Sequence, residues 1–190
     1  MIEHLGWAFC DMPELVLAIL DGVAALEWES GFDFEGGPFV LGEHDGCVVD
    51  AIGDFFTPIW RADSTIYLAG HHSYADDDIE SFGDGWRDWS DELIAAVGAR
   101  LIASKATGST TVATLDVPSG CLAFIDPLAD APLAREADIR KVIDQRGTFK
   151  AARATFVAVD AGTYEVVVEE LDEVDEELGT FNARVAIAKV

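Results

Sequence analysis

Positive charge is the scarcest commodity in this sequence: 12 Lys and Arg stand against 36 Asp and Glu in 190 residues, a formal net charge of −24. So few cations exclude a surface that tracks phosphates, because neutralising a nucleic-acid backbone takes stripes of Lys and Arg. Direct nucleic-acid binding is not expected. Cysteine is also sparse: Cys10, Cys47 and Cys121 are an odd number, far apart, with no CxxC spacing and no histidine at a ligand offset. That excludes a disulfide framework and a structural zinc site, and leaves three small buried hydrophobes in a reducing compartment. No apolar run approaches the roughly 18 residues needed to cross a bilayer, and Glu3 and Asp11 stand where a secretory signal would carry cations. The expectation is a cytoplasmic protein without membrane association. GxSxG, HExxH, P-loop and GxGxxG motifs are absent, so the familiar catalytic routes have no anchor and no cofactor is expected.

What is present is a chain that is half hydrophobic and long enough to bury a full core without staples. The acids are unevenly spread, with 21 acids and 4 bases in residues 1–105 against 15 and 8 in residues 106–190. Self-repulsion on this scale confines them to the surface, where water and salt screen them. Two explanations stand: an acidic face that engages a basic partner, or adaptation to a salty host, to which the excess of Asp over Glu and the four lysines also point.

Along the chain, Leu15, Ile19, Leu20, Val23, Ala24 and Leu26 approximate a helical stripe, and Asp11-x-x-Glu14 with Pro13 resembles a helix start. Phe39–Leu41 and Cys47–Ile52 read as strands around an Asp45-Gly46 turn, and Ser64–Ala69 as a third. Gly70 to Trp89 reads as a long loop, of the kind that is usually functional. Ser90 with Asp91 and Glu92 starts a helix running to about Ser104. Lys105–Ser109 then reads as a boundary between lobes. Thr110–Leu115 and Cys121–Ile125 are expected strands about a Val117–Gly120 turn, Asp126-Pro127 stops the second, and a short helix fits between Leu133 and Gln145. Phe156–Val159, Tyr164–Val168 and Val185–Ala188 are β-branched runs, the last two separated by Glu169–Glu177, where seven of nine residues are acidic. No internal repeat is visible.

Pro118-Ser119-Gly120 before a strand ending Ile125-Asp126-Pro127-Leu128, Gly162-x-Tyr164-x-Val166, and Asn182-Ala183-Arg184-Val185-Ala186-Ile187-Ala188 follow one another in order. In this order, residues 116–190 resemble a bacterial domain family of unknown function. The resemblance implies a β-rich C-terminal part and brings no chemistry with it.

Two candidate sites fall between Trp60 and Trp89. His71, His72 and Asp76 supply imidazole and carboxylate that would suit zinc, iron or manganese if the segment turns at the histidines, since neighbours in a strand point to opposite faces. Trp60, Tyr74, Asp76, Asp77, Asp78, Trp86 and Trp89 combine aromatic faces with carboxylates, the composition that receives a basic protein through cation–π contact and charge pairing. Asp126 reads as a turn cap, and Arg184 as a buried cation paired with Asp126 or Glu165. The fold expected is α+β, mostly antiparallel sheet with two or three helices in two closely packed lobes: 1–105, acidic and α/β, and 106–190, β-rich. The function expected is an acidic, non-enzymatic binding protein of inhibitor or immunity type with a basic protein partner. A metal-dependent hydrolase at His71, His72 and Asp76, or a small-ligand module, are the alternatives.

Overall fold

The run Leu17-Ala18-Ile19-Leu20-Asp21 is buried along its whole length, which a helical stripe cannot be, and it forms a strand (β2) with apolar packing on both faces. In its described part, from Val16, the helix expected from Asp11 to Leu26 therefore gives way to a central strand and a 3-10 turn at Ala24–Glu27, while residues 11–15 lie outside the described residues. A short continuous apolar run carries no period that separates the two. The computed structural model describes residues 1–9, 16–29, 36–50, 56–73, 90–172 and 180–190.

Among the described residues twelve strands lie in two open six-stranded sheets, and every pairing is antiparallel. The first half of the chain supplies β1 (Ile2–Phe9), β2, β3 (Gly37–Leu41), β4 (His44–Val49), β5 (Phe56–Ala62) and β6 (Thr65–Ser73). The second supplies β7 (Ala106–Val117), β8 (Cys121–Ile125), β9 (Thr148–Lys150), β10 (Ala154–Ala158), β11 (Gly162–Leu171) and β12 (Thr180–Lys189). One sheet runs β1-β5-β6-β12-β11-β7 and the other β3-β4-β2-β8-β10-β9. Two α-helices of the described chain are α1 (Asp91–Ala103) and α2 (Glu136–Gln145).

The expected fold class is corrected by this order. The chain is mostly β, and its halves form no lobes, because each sheet takes three strands from each half. Lys105–Ser109, expected as a boundary, is the run into β7. The Gly-Ser-Thr-Thr composition there hides a strand because its side chains are exposed and need not be apolar. The turn expected at Asp45-Gly46 sits instead at Gly42-Glu43, where Leu41 pairs with His44 and Gly42 takes a positive φ of 61°.

The same order reveals a repeat. Replacing each of β1 to β6 by the strand six places later turns each sheet into its own reverse, so the two halves are related by an approximate twofold axis. Only β2 and β8 keep a legible echo, Leu17-Ala18-Ile19-Leu20-Asp21 against Leu122-Ala123-Phe124-Ile125-Asp126. Ile19 pairs with Phe124, its equivalent, so the axis passes between them.

Three apolar clusters give the layers. The first fills the space between the sheets, with Phe124, Ile19, Ile59, Leu68, Val166 and Ile187 among its members. The second lies on the outer face of the sheet containing β2, beneath α2 and the 3-10 turn, around Trp28, Phe156 and Ile139. The third seats α1 on the other sheet through Trp60, Ile94, Val97 and Leu101. Gly98 lets the helix approach: a Cβ there would stand 2.4 Å from Trp60 Nε1 and 2.7 Å from Cδ1. Alanine would gain about 1 kcal/mol of helix propensity. Overlap with a fully buried indole costs more, about 1–3 kcal/mol. Gly98→Ala is therefore expected to lower the urea unfolding midpoint, and a midpoint that rises would show that α1 does not press on Trp60.

Candidate functional site

Trp60 faces the α1 side of its sheet with no solvent exposure, and its Nε1 donates to the Ile94 carbonyl at 3.2 Å. It anchors the helix and offers no surface to a partner. His71 and His72 lie inside β6, with His72 opposite Phe181, so the backbone makes no turn between them. Tyr74, Asp76, Asp77, Asp78, Trp86 and Trp89 lie outside the described residues. Among the described residues no group of three or more His, Cys, Asp or Glu is arranged to hold a metal ion.

The polar groups that are brought together are of three kinds. The first are two aspartates in equivalent places, each ending a central strand and each buried. Asp21 accepts the Val23 and Ala24 amides at 2.8 and 3.2 Å and, through its other oxygen, the Ser119 amide at 3.0 Å. Asp126 accepts the Leu128 amide at 2.9 Å and the Arg153 guanidinium at 3.1 Å. Asp126 is thus the turn cap expected of it, joined by an ion pair. Asp21 went unnoticed because Asp-Gly signals a turn without revealing that its carboxylate is buried.

The second is Arg184 on β12, buried and fully engaged. Its Nε donates to Glu169 at 2.5 Å and its Nη1 to the carbonyls of Leu101, Ile102 and Ser104 at 2.7, 2.9 and 3.0 Å, while its guanidinium lies 5.6 Å from the Tyr67 ring centroid. The carbonyls at a helix C-terminus lack intrahelical partners and carry partial negative charge, so one cation satisfies them and fastens α1 to the sheet. The partner is Glu169 rather than Asp126 or Glu165, because β12 pairs Arg184 directly with Glu169.

The third is a cleft of about 180 Å³ where the β5–β6 turn, the end of α2 and the start of β11 meet. Arg61 and Arg146 line it together with Asp63, Asp160 and Tyr164. Arg61 donates to the Ala158 carbonyl and pairs with Glu3 at 3.5 Å, bridging the two sheets. Arg146 pairs with Asp160 at 2.9 Å, and the Tyr164 hydroxyl donates to the Asp160 carbonyl at 2.5 Å. Burial, and secondarily the Asp160 charge, push the Tyr164 phenol above its ordinary value, so it is held as a neutral donor. The cleft balances its charges internally and serves as a clamp between layers. His4, on β1, stacks edge-on against Trp7 at 5.1 Å, and burial holds its imidazole below the usual value. Comparison with protein families, curated proteins and solved structures finds no match to this chain.

Two expectations follow. Arg184→Met removes donors from three carbonyls and leaves Glu169 half-buried without its partner, a loss of about 3–5 kcal/mol. Arg184→Lys, which has no planar fork, is expected to recover less than half of it. Urea denaturation measures both, and a neutral Arg184→Met would contradict the capping role. Cys47 and Cys121 are buried thiols pushed up to about 12 from 9.0. Their folded pKa exceeds the unfolded one, so the stability they contribute is whole below pH 9 and falls as pH rises from there towards about 12. Both should resist alkylation at pH 8 until the protein unfolds, which mass spectrometry of the modified peptides would record.

Proposed function

We propose that this chain is a non-enzymatic binding protein whose acidic surface engages a basic protein, in the manner of an inhibitor or immunity protein. The observation that carries the reading is the charge left over after internal pairing. Ion pairs among the described residues draw in Glu3, Asp126, Glu136, Asp138, Asp160 and Glu169. Even if every Lys and Arg were matched once, a net charge of −24 would remain. No fold needs so large an unpaired charge, since self-repulsion opposes compaction, whereas a cationic partner would relieve it. Tyr74, Asp76, Asp77, Asp78, Trp86 and Trp89 belong to this proposal as contact residues. Trp60, being buried, leaves it.

The test is association with a panel of small basic globular proteins at about 20 mM and about 150 mM salt. A loss of roughly ten-fold or more in affinity, carried mainly by the association rate, is expected, and Asp77→Lys or Trp86→Ala should weaken binding further. Affinity indifferent to salt, or no association with any basic protein at low salt, would overturn the reading. Host adaptation predicts a different pattern, an unfolding midpoint that climbs with salt and no preference for a partner.

A further inference from the structure

Four strands end the two sheets among the described residues: β1, β3, β7 and β9. An edge strand presents a row of unpaired N–H and C=O groups, and proteins ordinarily blunt such rows with proline, brevity, lysine, a bulge or a cover. Three of the four are short or covered. β3 has five residues and includes Pro38, and β9 has three. β1 breaks register between His4 and Gly6, its Trp7 carbonyl accepts the Thr155 hydroxyl at 2.6 Å, and α1 and β10 pack against it.

β7 is the longest of the four, and it breaks register twice, at Thr107 and at Val112. It has 12 residues, Ala-Thr-Gly-Ser-Thr-Thr-Val-Ala-Thr-Leu-Asp-Val, with neither proline nor lysine. Beyond the register shift at Val112, Ala113 and Thr114 lie beside Phe39 and Asp45 of the β3–β4 hairpin, so that end is covered. In residues 106–111, Thr107, Ser109, Thr110 and Thr111 are exposed, and the Thr111 hydroxyl donates to Glu165 at 3.2 Å. On the other side β11 brings Glu165, Glu169 and Glu170 opposite Thr114, Ser109 and Gly108. One of these, Glu169, is engaged by Arg184, and Glu170 is exposed.

We infer that residues 106–111 of β7 are a docking edge for an extended, basic peptide segment of a partner, which adds a seventh strand to this sheet. The inference rests on the proposed basic partner and names the place and mode of its binding. The unpaired row supplies main-chain hydrogen bonds, and Glu170, exposed on β11 opposite Gly108, selects Lys or Arg over acidic side chains. A second copy of this chain is disfavoured as the occupant, because pairing β7 with β7 would bring two sets of these glutamates together in molecules that each carry −24.

The probe is a synthetic eight-residue peptide alternating Lys with Thr and Val, followed by amide exchange and NMR shifts at low salt. Slowed exchange confined to residues 106–111 and a loss of roughly ten-fold or more in affinity for Ser109→Lys/Thr111→Lys are expected, since two lysines both blunt the edge and repel the peptide. Both positions are exposed, so the variant should keep its unfolding midpoint. Protection at another edge, or binding without any amide protection, overturns the docking edge. If the peptide does not bind while basic globular proteins still associate in a salt-sensitive way, the edge is wrong and the broader function stands. If no basic probe of either kind binds, the function itself is wrong.

Discussion

The pairing of β2 with β8 is the constraint on which the rest of the molecule depends. It joins the two halves at the approximate twofold axis, and its strands are buried on both faces, so the side chains along them are apolar except for Asp21 at the end of β2. A chain leaving such a strand enters a turn whose amides need an acceptor. Asp21 and Asp126 meet that need from equivalent positions, each spending one oxygen on its own turn and the other on a neighbouring segment. Burying a carboxylate is costly unless it is fully bonded, and these two are. The layers outside follow: α2 covers one sheet, and α1 covers the other through Trp60 and the Arg184 clamp.

Much of the local structure was legible in residues. Ser90 does accept the Leu93 amide as an N-cap, at 3.3 Å, and α1 runs where its apolar spacing placed it. The hairpin through Val117–Gly120, the strand stopped at Asp126 and the helix before Gln145 were legible for the same reason, since turn and cap residues act within a few positions. What stayed hidden is whatever depends on a partner far along the chain. β2 looks like half a helix until β4 and β8 are known to flank it, and β7 looks like a linker because its exposed Thr and Ser carry no apolar alternation. The repeat was hidden because equivalent strands in the two halves share a location and little sequence, β2 and β8 excepted.

The candidate site was less legible than the fold, for a physical reason. Trp60 has the composition of a recognition residue, and so does any indole that seats a helix on a sheet; only burial separates the two, and Trp60 has no exposure. Arg184 shows the converse. A lone cation in an apolar strand announces burial and a partner, but the partner is chosen by register, and register is a long-range property.

Charge and edge are linked more closely than either is alone. An edge as long as β7 without lysine or proline invites pairing between copies, yet each copy carries its glutamates into any such contact. Two carboxylates about 10 Å apart in water repel by about 0.4 kcal/mol. Several such pairs, added to the repulsion between whole molecules, discourage self-association without any substitution in β7 itself. On the proposed function, the same field would draw in a cationic strand, so one distribution of acids would both guard the edge and keep it open to a partner of opposite sign. Because the Debye length shrinks from about 30 Å at 0.01 M to about 8 Å at physiological salt, the guard and the attraction weaken together. On that reading the acidic surface and the open strand are two parts of one arrangement: remove the acids, and the fold would have to close β7 by the brevity, proline or cover that it already uses on β1, β3 and β9.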